Sequence, residues 1–267
     1  MAGRTGAPPA MIREGVWKAE RRKGSSYNSG MPVVEPVTQR YLGSDYIEKN
    51  PSWDSEDSPW KAAQVHRVLE GNGIRPGSLV DVGCGAGLVL AHLQQWYPSA
   101  RFAGFDIAPA AERFWEVPRS RGISLTLGDF TTMETGPFDV LLALDVLEHL
   151  ADPYAFLERV KTRATHFVFH FPLDLSALSV LREQPLLHVH DRVGHLHFFT
   201  RRLALALLQD CGYQVIDARY TGAAFSAPQR GLAARVAQLP RRLAALVNRD
   251  WGARLLGGET LIVLART

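Results

Sequence analysis

The chain has 267 residues, 46% of them hydrophobic, a net charge of +3 and two cysteines. That length buries the core of one large α/β domain, and so small a charge reads as a solvated surface rather than an attractor of polyanions. No apolar run reaches the ~20 residues of a bilayer span. The N-terminus lacks a secretory pattern, and Cys84 and Cys211 form neither a disulfide framework nor a CxxC pair, so a cytoplasmic setting is expected.

In chain order, residues 1–30 are rich in Gly, Pro, Ser, Lys and Arg and read as a mobile basic leader. Residues 31–267 read as a single domain, beginning with an N-terminal cap over 31–75 in which Tyr41, Tyr46, Trp53 and Trp60 sit among polar residues. Ser58-Pro59 predicts a helix start with Ser58 as N-cap, and Ala62, Val65, Val68 and Leu69 supply its buried face. Five short apolar runs follow as strands, at Ser78–Val82, Arg101–Phe105, Ile123–Leu127, Phe138–Leu144 and His166–Phe171. Amphipathic segments alternate with them, among them a helix from Leu88 to Trp96 and another over Asp152–Arg163 with Pro153 at its first position. Strands buried on both faces and separated by helices predict a parallel sheet covered on each side. Thr200 caps a helix at Arg201–Asp210, with Gly212 just beyond it, and two closing strands are expected at Tyr213–Tyr220 and Glu259–Ala265. Between them, 221–258 forms a helical insertion, with helices over Gly231–Leu239 and Arg241–Val247 divided by Pro240. The default role of that pair is a lid or core-facing layer. A basic amphipathic face touching a membrane or partner through 225–255 is the sharper alternative.

The densest signal is Leu79-Val80-Asp81-Val82-Gly83-Cys84-Gly85-Ala86-Gly87, an apolar strand running into alternating glycines and then a helix. Such a loop lies at the carboxyl end of a strand, where doubly wound sheets bind ligands. The spacing departs from the dinucleotide fingerprint G-x-G-x-x-G, because the third glycine comes one position early. Asp81 would repel a pyrophosphate but attract an ammonium group, which favours S-adenosylmethionine (SAM) over NAD. Asp106, ending the second strand about twenty residues on, suits the ribose hydroxyls. Ile107 offers the adenine an apolar surface, and Asp129, beside Phe130 after the third strand, an acceptor for its amine. Leu144, at the end of the fourth strand, and Tyr46, folding over from the cap, complete the expected cofactor contacts.

These residues resemble the class I SAM-dependent methyltransferase superfamily. Asp81–Gly87 is similar to its first motif, and Asp106 and Asp129 to its second- and third-strand acids. The run Asp145-Val146-Leu147-Glu148-His149-Leu150 before Asp152-Pro153 resembles the branch containing ubiquinone-biosynthesis O-methyltransferases. A weaker likeness, in Tyr46–Trp60 and Gly194–Thr200, is to enzymes that tailor saccharides or secondary metabolites. The resemblance covers residues 60–220 and implies a doubly wound, Rossmann-like sheet of seven strands, six parallel and the last antiparallel.

Methyl transfer needs alignment, exclusion of water and, where the acceptor carries a proton, a base. His149 is the first candidate base, and its alternative role is to hold loop backbone. His195 and His197 form a second group, and His170 and Asp174 flank Pro172 with their facing undecided. Asp145 points either at the transferring methyl or at loop amides. No metal site is expected: His188-Val189-His190 would offer two ligands on one strand face and no third. A small-molecule acceptor methylated on O, N or C is the leading reading. An RNA acceptor is disfavoured by the lack of an added RNA-binding domain. A non-catalytic interaction protein is disfavoured by the intact glycine loop and acids. Oligomeric state is not legible.

Overall fold

The computed structural model describes residues 36–43, 45–53, 55–222, 240–241, 243–244 and 246–267. The expected leader and the expected helix over 231–239 lie outside them.

Seven strands form one sheet: β1 (Ser78–Val82), β2 (Arg101–Asp106), β3 (Ser124–Leu127), β4 (Phe138–Leu144), β5 (Ala164–Leu173), β6 (Gln214–Tyr220) and β7 (Glu259–Arg266), in the order β3-β2-β1-β4-β5-β7-β6. Strands β1 to β5 pair in parallel, and β7 runs antiparallel to both β5 and β6. Six strands therefore share one direction and one opposes them, as the resemblance implies. Alternation sends successive side chains to opposite faces. In β4, Leu141 and Ala143 join one core with Phe167, Phe169 and Tyr213. Val140, Leu142 and Leu144 join the other with Val65, Leu69, Leu90 and Trp115. The order reverses between β1 and β4, so a crevice opens at their carboxyl ends.

Ten helices are described around the sheet: α1 (Pro36–Leu42), α2 (Asp45–Lys49), α3 (Ser58–Gly71), α4 (Leu88–Leu93), α5 (Glu116–Ser120), α6 (Pro153–Val160), α7 (Ala177–Arg182), α8 (Gln184–Arg192), α9 (Arg201–Asp210) and α10 (Arg249–Leu256). Side-chain caps mark the starts of α6, α7, α9 and α10. Asp152 accepts from the Ala155 amide (2.9 Å) and Thr200 from that of Leu203 (3.3 Å), and Gly212 adopts φ 77° after α9.

Some boundaries differ from expectation. Ser58 lies inside α3, whose N-cap is Asp57, because a 3-10 turn at Ser55–Asp57 winds directly into it. The segment with His188 and His190 is helix α8, not a strand, so the two rings do not share a face, and His190 pairs at the surface with Asp191 (2.9 Å). Helix α10 falls within the expected helical insertion but beyond the two helices named there. Gly252 interrupts its pattern, yet Asn248 caps it (3.1 Å to the Trp251 amide) and Gly257 ends it at φ 66°. Within the expected insertion, Leu246, Val247 and Trp251 are exposed. Among the described residues no helix is long and apolar enough to cross a membrane.

Candidate active site

A cleft of about 330 Å³ opens at the reversal point, floored by Asp81 and the Gly83–Ala86 backbone, with Leu144, Asp145, Glu148 and His149 on one wall. Tyr46 and Trp53 enter from the cap, Lys61 from α3, and His170 and His195 from and beyond β5.

The glycine loop is pinned from several sides. The amides of Gly83 and Cys84 donate to the Phe105 carbonyl (2.8 and 3.0 Å). Gly85 donates its N–H to Asp106 Oδ2 (2.8 Å), and its carbonyl accepts the indole N–H of fully buried Trp115 (2.7 Å). Gly85 has φ 51°, and a Cβ there would lie 2.6 Å from the Trp53 ring. Only glycine lets the indole cover the loop this closely. Gly85→Ala is therefore expected to push Trp53 outward and to destabilise by about 1–2 kcal/mol through the left-handed backbone alone. Thermal unfolding checks this, and an unchanged midpoint would mean that the loop relaxes without cost.

Asp81 is 2% exposed, and its Oδ1 has no hydrogen-bond partner. Burial, helped by nearby Asp106 and opposed by Lys61, pushes its carboxyl up to about 8. A buried acceptor without a donor is costly, and an ammonium group arriving in the cleft would satisfy it.

Asp145 closes the opposite wall at φ 56°, a conformation Asp tolerates better than most residues. Its Oδ2 meets Lys61 Nζ at 2.7 Å and its Oδ1 meets His170 Nδ1 at 2.6 Å. Burial alone would raise its pKa, but His170 and Lys61 outweigh that and hold it well below the usual carboxylate range. The far side of the His170 ring, Nε2, lies 3.1 Å from Thr260 Oγ1.

At the third corner stand Glu148, His149 and His195. Glu148 is completely buried, and neither carboxylate oxygen has a hydrogen-bond partner. Burial, followed by the charge of Asp145, raises its pKa. His149 Nδ1 faces the Tyr41 hydroxyl (2.9 Å) and the Gly194 carbonyl (3.3 Å). Burial, then the neighbouring His195, lowers its pKa to about 4. His195 Nδ1 lies 2.7 Å from Asp174 Oδ2. The cap shapes both ends of the cleft, since Tyr41 packs on Tyr46 (ring centroids 5.2 Å apart) and Tyr46 on Trp53 (4.9 Å).

Of the residues singled out in the sequence, Tyr46, Asp81, Gly83, Cys84, Gly85, Leu144, Asp145, His149 and His195 line the cleft together. Others are placed elsewhere. Gly87 begins α4 at φ 71°, where a Cβ would strike Leu125. Asp106 is 8% exposed, and its two oxygens already accept from the Gly85 and Ala108 amides. Ile107, next along, is not among the lining residues. Asp129 is exposed and caps a single 3-10 turn through the Thr131 amide (2.8 Å). Phe130, expected toward the cofactor, instead fills the core with its ring 5.0 Å from that of Phe105 and Arg163 stacked over it. His197 bonds the Leu150 carbonyl (2.9 Å).

The sequence reading missed Lys61 and left the facing of His170 undecided. For Lys61 a signal existed: it shares the 3-4-3 spacing of Ser58, Val65 and Val68, so it lies on the buried stripe of α3.

Comparison with known proteins gives the family. The profile of a family described as "Methyltransferase domain" matches residues 57–218, more than half of the chain. The ubiquinone biosynthesis O-methyltransferase of Colwellia psychrerythraea is 25% identical over 171 residues, 59% of this chain and 69% of that protein. The enzyme of the same name from Maricaulis maris is 33% identical over 88 residues, but the match spans only 30% of this chain and 33% of that protein. Magnesium protoporphyrin IX methyltransferase from Synechocystis, solved with bound SAM, shares the fold. Its TM-score is 0.57 at 13% identity, covering 88% of this chain and 99% of that one. The chain belongs to the methyltransferase-domain family and is a SAM-dependent methyltransferase.

Proposed function

We propose that the protein transfers a methyl group from SAM to a hydroxyl oxygen of a small molecule. The observation that carries the reading is the pairing, in one cleft, of a buried carboxylate oxygen without a donor at Asp81 with a histidine-lined corner at His149 and His195. In this reading Asp81 takes the ammonium group, and the Gly83–Gly85 backbone carries the cofactor where side chains would collide with it. Tyr46 and Trp53 exclude water. Asp106 reaches the ribose through the lone pairs its amide contacts leave free, and Ile107 and Asp129 border the base. When bound, the cofactor supplies a sulfonium methyl group for in-line transfer. The chain's contribution is to hold the two partners in register. The Lys61–Asp145–His170 network fixes the loop after β4, so that the wall facing the methyl group does not drift. The likeness to ubiquinone biosynthesis O-methyltransferases favours oxygen over nitrogen or carbon as acceptor atom.

The test is thermal unfolding with SAM, S-adenosylhomocysteine and NAD in parallel. A ligand at a hundred times its Kd stabilises by about 2.7 kcal/mol. Both sulfur ligands are expected to raise the midpoint and NAD to leave it alone. A rise with NAD only would overturn the reading. The acceptor atom is then read by screening phenols and sugars for S-adenosylhomocysteine release.

A further inference from the structure

The last carbonyls of a helix have no amide partners within it, and at the C-terminus of α8 the cap supplies the missing donors. The Val189 carbonyl takes the amides of Val193 (3.1 Å), Gly194 (3.0 Å) and His195 (3.4 Å). Each of the next four carbonyls accepts from a side chain of the cap, 142 to 152 residues away in sequence. Arg40 Nη1 donates to His190 (2.8 Å), Lys49 Nζ to Asp191 (2.9 Å), Asn50 Nδ2 to Arg192 (3.5 Å) and the Tyr41 hydroxyl to Val193 (3.2 Å). Two of these donors are cations, the charge that the negative end of a helix dipole favours. Gly194 leaves room for the seat, since a Cβ there would lie 2.5 Å from Arg40 Nη1 and 2.8 Å from the Tyr41 oxygen. Asn50 makes the longest of the four contacts and is buried, at 3% exposed. Its side-chain amide also donates to the Tyr46 carbonyl (3.3 Å), its backbone N–H donates to the same carbonyl (2.9 Å), and its own carbonyl accepts the Trp53 amide (2.9 Å). The two rings at the cofactor end of the cleft thus hang on a residue that is itself seated on α8. Beyond the seat the chain runs from Gly194 into His195, held by Asp174 (2.7 Å).

We propose that Asn50, with Arg40 and Lys49 beside it, is a positioning residue: it transmits capture of the cofactor beneath Tyr46 and Trp53 to the C-terminal turn of α8, and so sets the His195 end of the cleft in register. The seat is made of side chain to backbone hydrogen bonds, each of which water can replace, so it is reversible at little cost. A ligand that touches the two rings only when the cap is seated shifts the balance toward the seated form. The carbonyls of α8 then keep their donors, and the turn that carries Val193, Gly194 and His195 is held. The transmission rests on the cofactor lying beneath those rings, as in the function proposed above, whereas the seat itself does not. Spacing along the sequence hides the device, because every donor and its carbonyl lie at opposite ends of the chain's described fold in sequence and meet only through the sheet between them.

The test is amide hydrogen exchange on the full chain, with and without saturating S-adenosylhomocysteine, read at the glycine loop and at residues 193–195. In the wild type the ligand is expected to slow exchange at both, and at 193–195 by about 5–150-fold, the span of ordinary couplings between sites. Asn50→Leu keeps the size and removes the donor, so it should retain the slowing at the glycine loop and lose it at 193–195. Lys49→Met changes an exposed side chain and should diminish the slowing at 193–195 without disturbing the core. Lys49→Arg keeps donor and charge and should restore it. A merely structural role would move the thermal midpoint and the exchange of the free protein, but not the ligand's effect on exchange. Slowing at 193–195 that persists undiminished in Asn50→Leu and Lys49→Met, or that is missing from a wild type whose glycine loop is protected, would overturn the transmission. If neither region of the wild type responds, the cofactor placement proposed above falls and the transmission with it. The seat is then judged alone: faster exchange at 193–195 in ligand-free Lys49→Met than in the wild type upholds it, and equal rates overturn it.

Discussion

Asp81→Asn should make the ligand-free protein more stable at pH 8 while removing most of its affinity for SAM. The carboxyl has an ordinary pKa of 3.8 and is pushed up to about 8 in the fold, chiefly by burial. Between those values the folded chain keeps a proton that the unfolded chain has lost. Stability therefore falls as pH rises, by about 1.4 kcal/mol per unit for a fully protonated group, and the loss is complete above about pH 8. An asparagine of the same shape has nothing to ionise. The advantage of the variant should be near zero at pH 4 and greatest at pH 8 and above, as urea unfolding across that range will show. Cofactor affinity runs the opposite way. An ammonium group is held by the ionised carboxylate, so binding below pH 8 must expel the proton. Wild-type affinity should weaken about tenfold per unit between pH 8 and pH 6, with proton release visible by calorimetry in buffers of different ionisation enthalpy. Flat affinity over that interval would mean that Asp81 does not meet the ligand's charge.

Asp145→Asn should cost about 3–5 kcal/mol at pH 7. Asparagine accepts the same positive φ, so the backbone is preserved and the change isolates the charge. It strips the counterion from Lys61 Nζ, 2.7 Å away, and changes the acceptor facing His170 Nδ1, 2.6 Å away. The wild-type pKa is depressed, so the stabilisation is present above the carboxyl's unfolded pKa and is lost only as pH falls through the lower, folded value. Urea unfolding should thus show the gap between wild type and variant holding from pH 7 down to about pH 4 and closing below it. A gap under 1 kcal/mol at neutral pH would place the network among solvent-screened surface pairs.

The sequence made the sheet legible because its strands are buried on both faces and its turns carry the glycines and caps that end them. Phe138–Leu144 is the clearest case, since the reading and the strand coincide. The glycine loop was legible for a related reason: Gly83, Gly85 and Gly87 all take positive φ, a backbone demand that composition exposes directly. The rest of the site depends on residues that meet only through the fold. Nothing local in Val193–Phe199 announces that the His195 ring will lie 4.9 Å from that of His149. Lys61 was hidden by the habit of reading lysine as solvent-facing. Phe130 misled because a residue beside a strand-end acid looks like a ligand contact, while its ring is drawn into the aromatic layer behind the strand.

One short stretch, Tyr41 to Trp53, touches both halves of the cleft. Its tyrosine hydroxyl bonds to His149, and its indole covers Gly85. Any hinge movement that uncovers the glycine loop to exchange spent cofactor must also pull on the tether of His149. Reloading and dismantling of the acceptor corner thus become a single event. On the function proposed above, the groups facing the acceptor would be in place only while the cap is closed, and turnover would follow its opening.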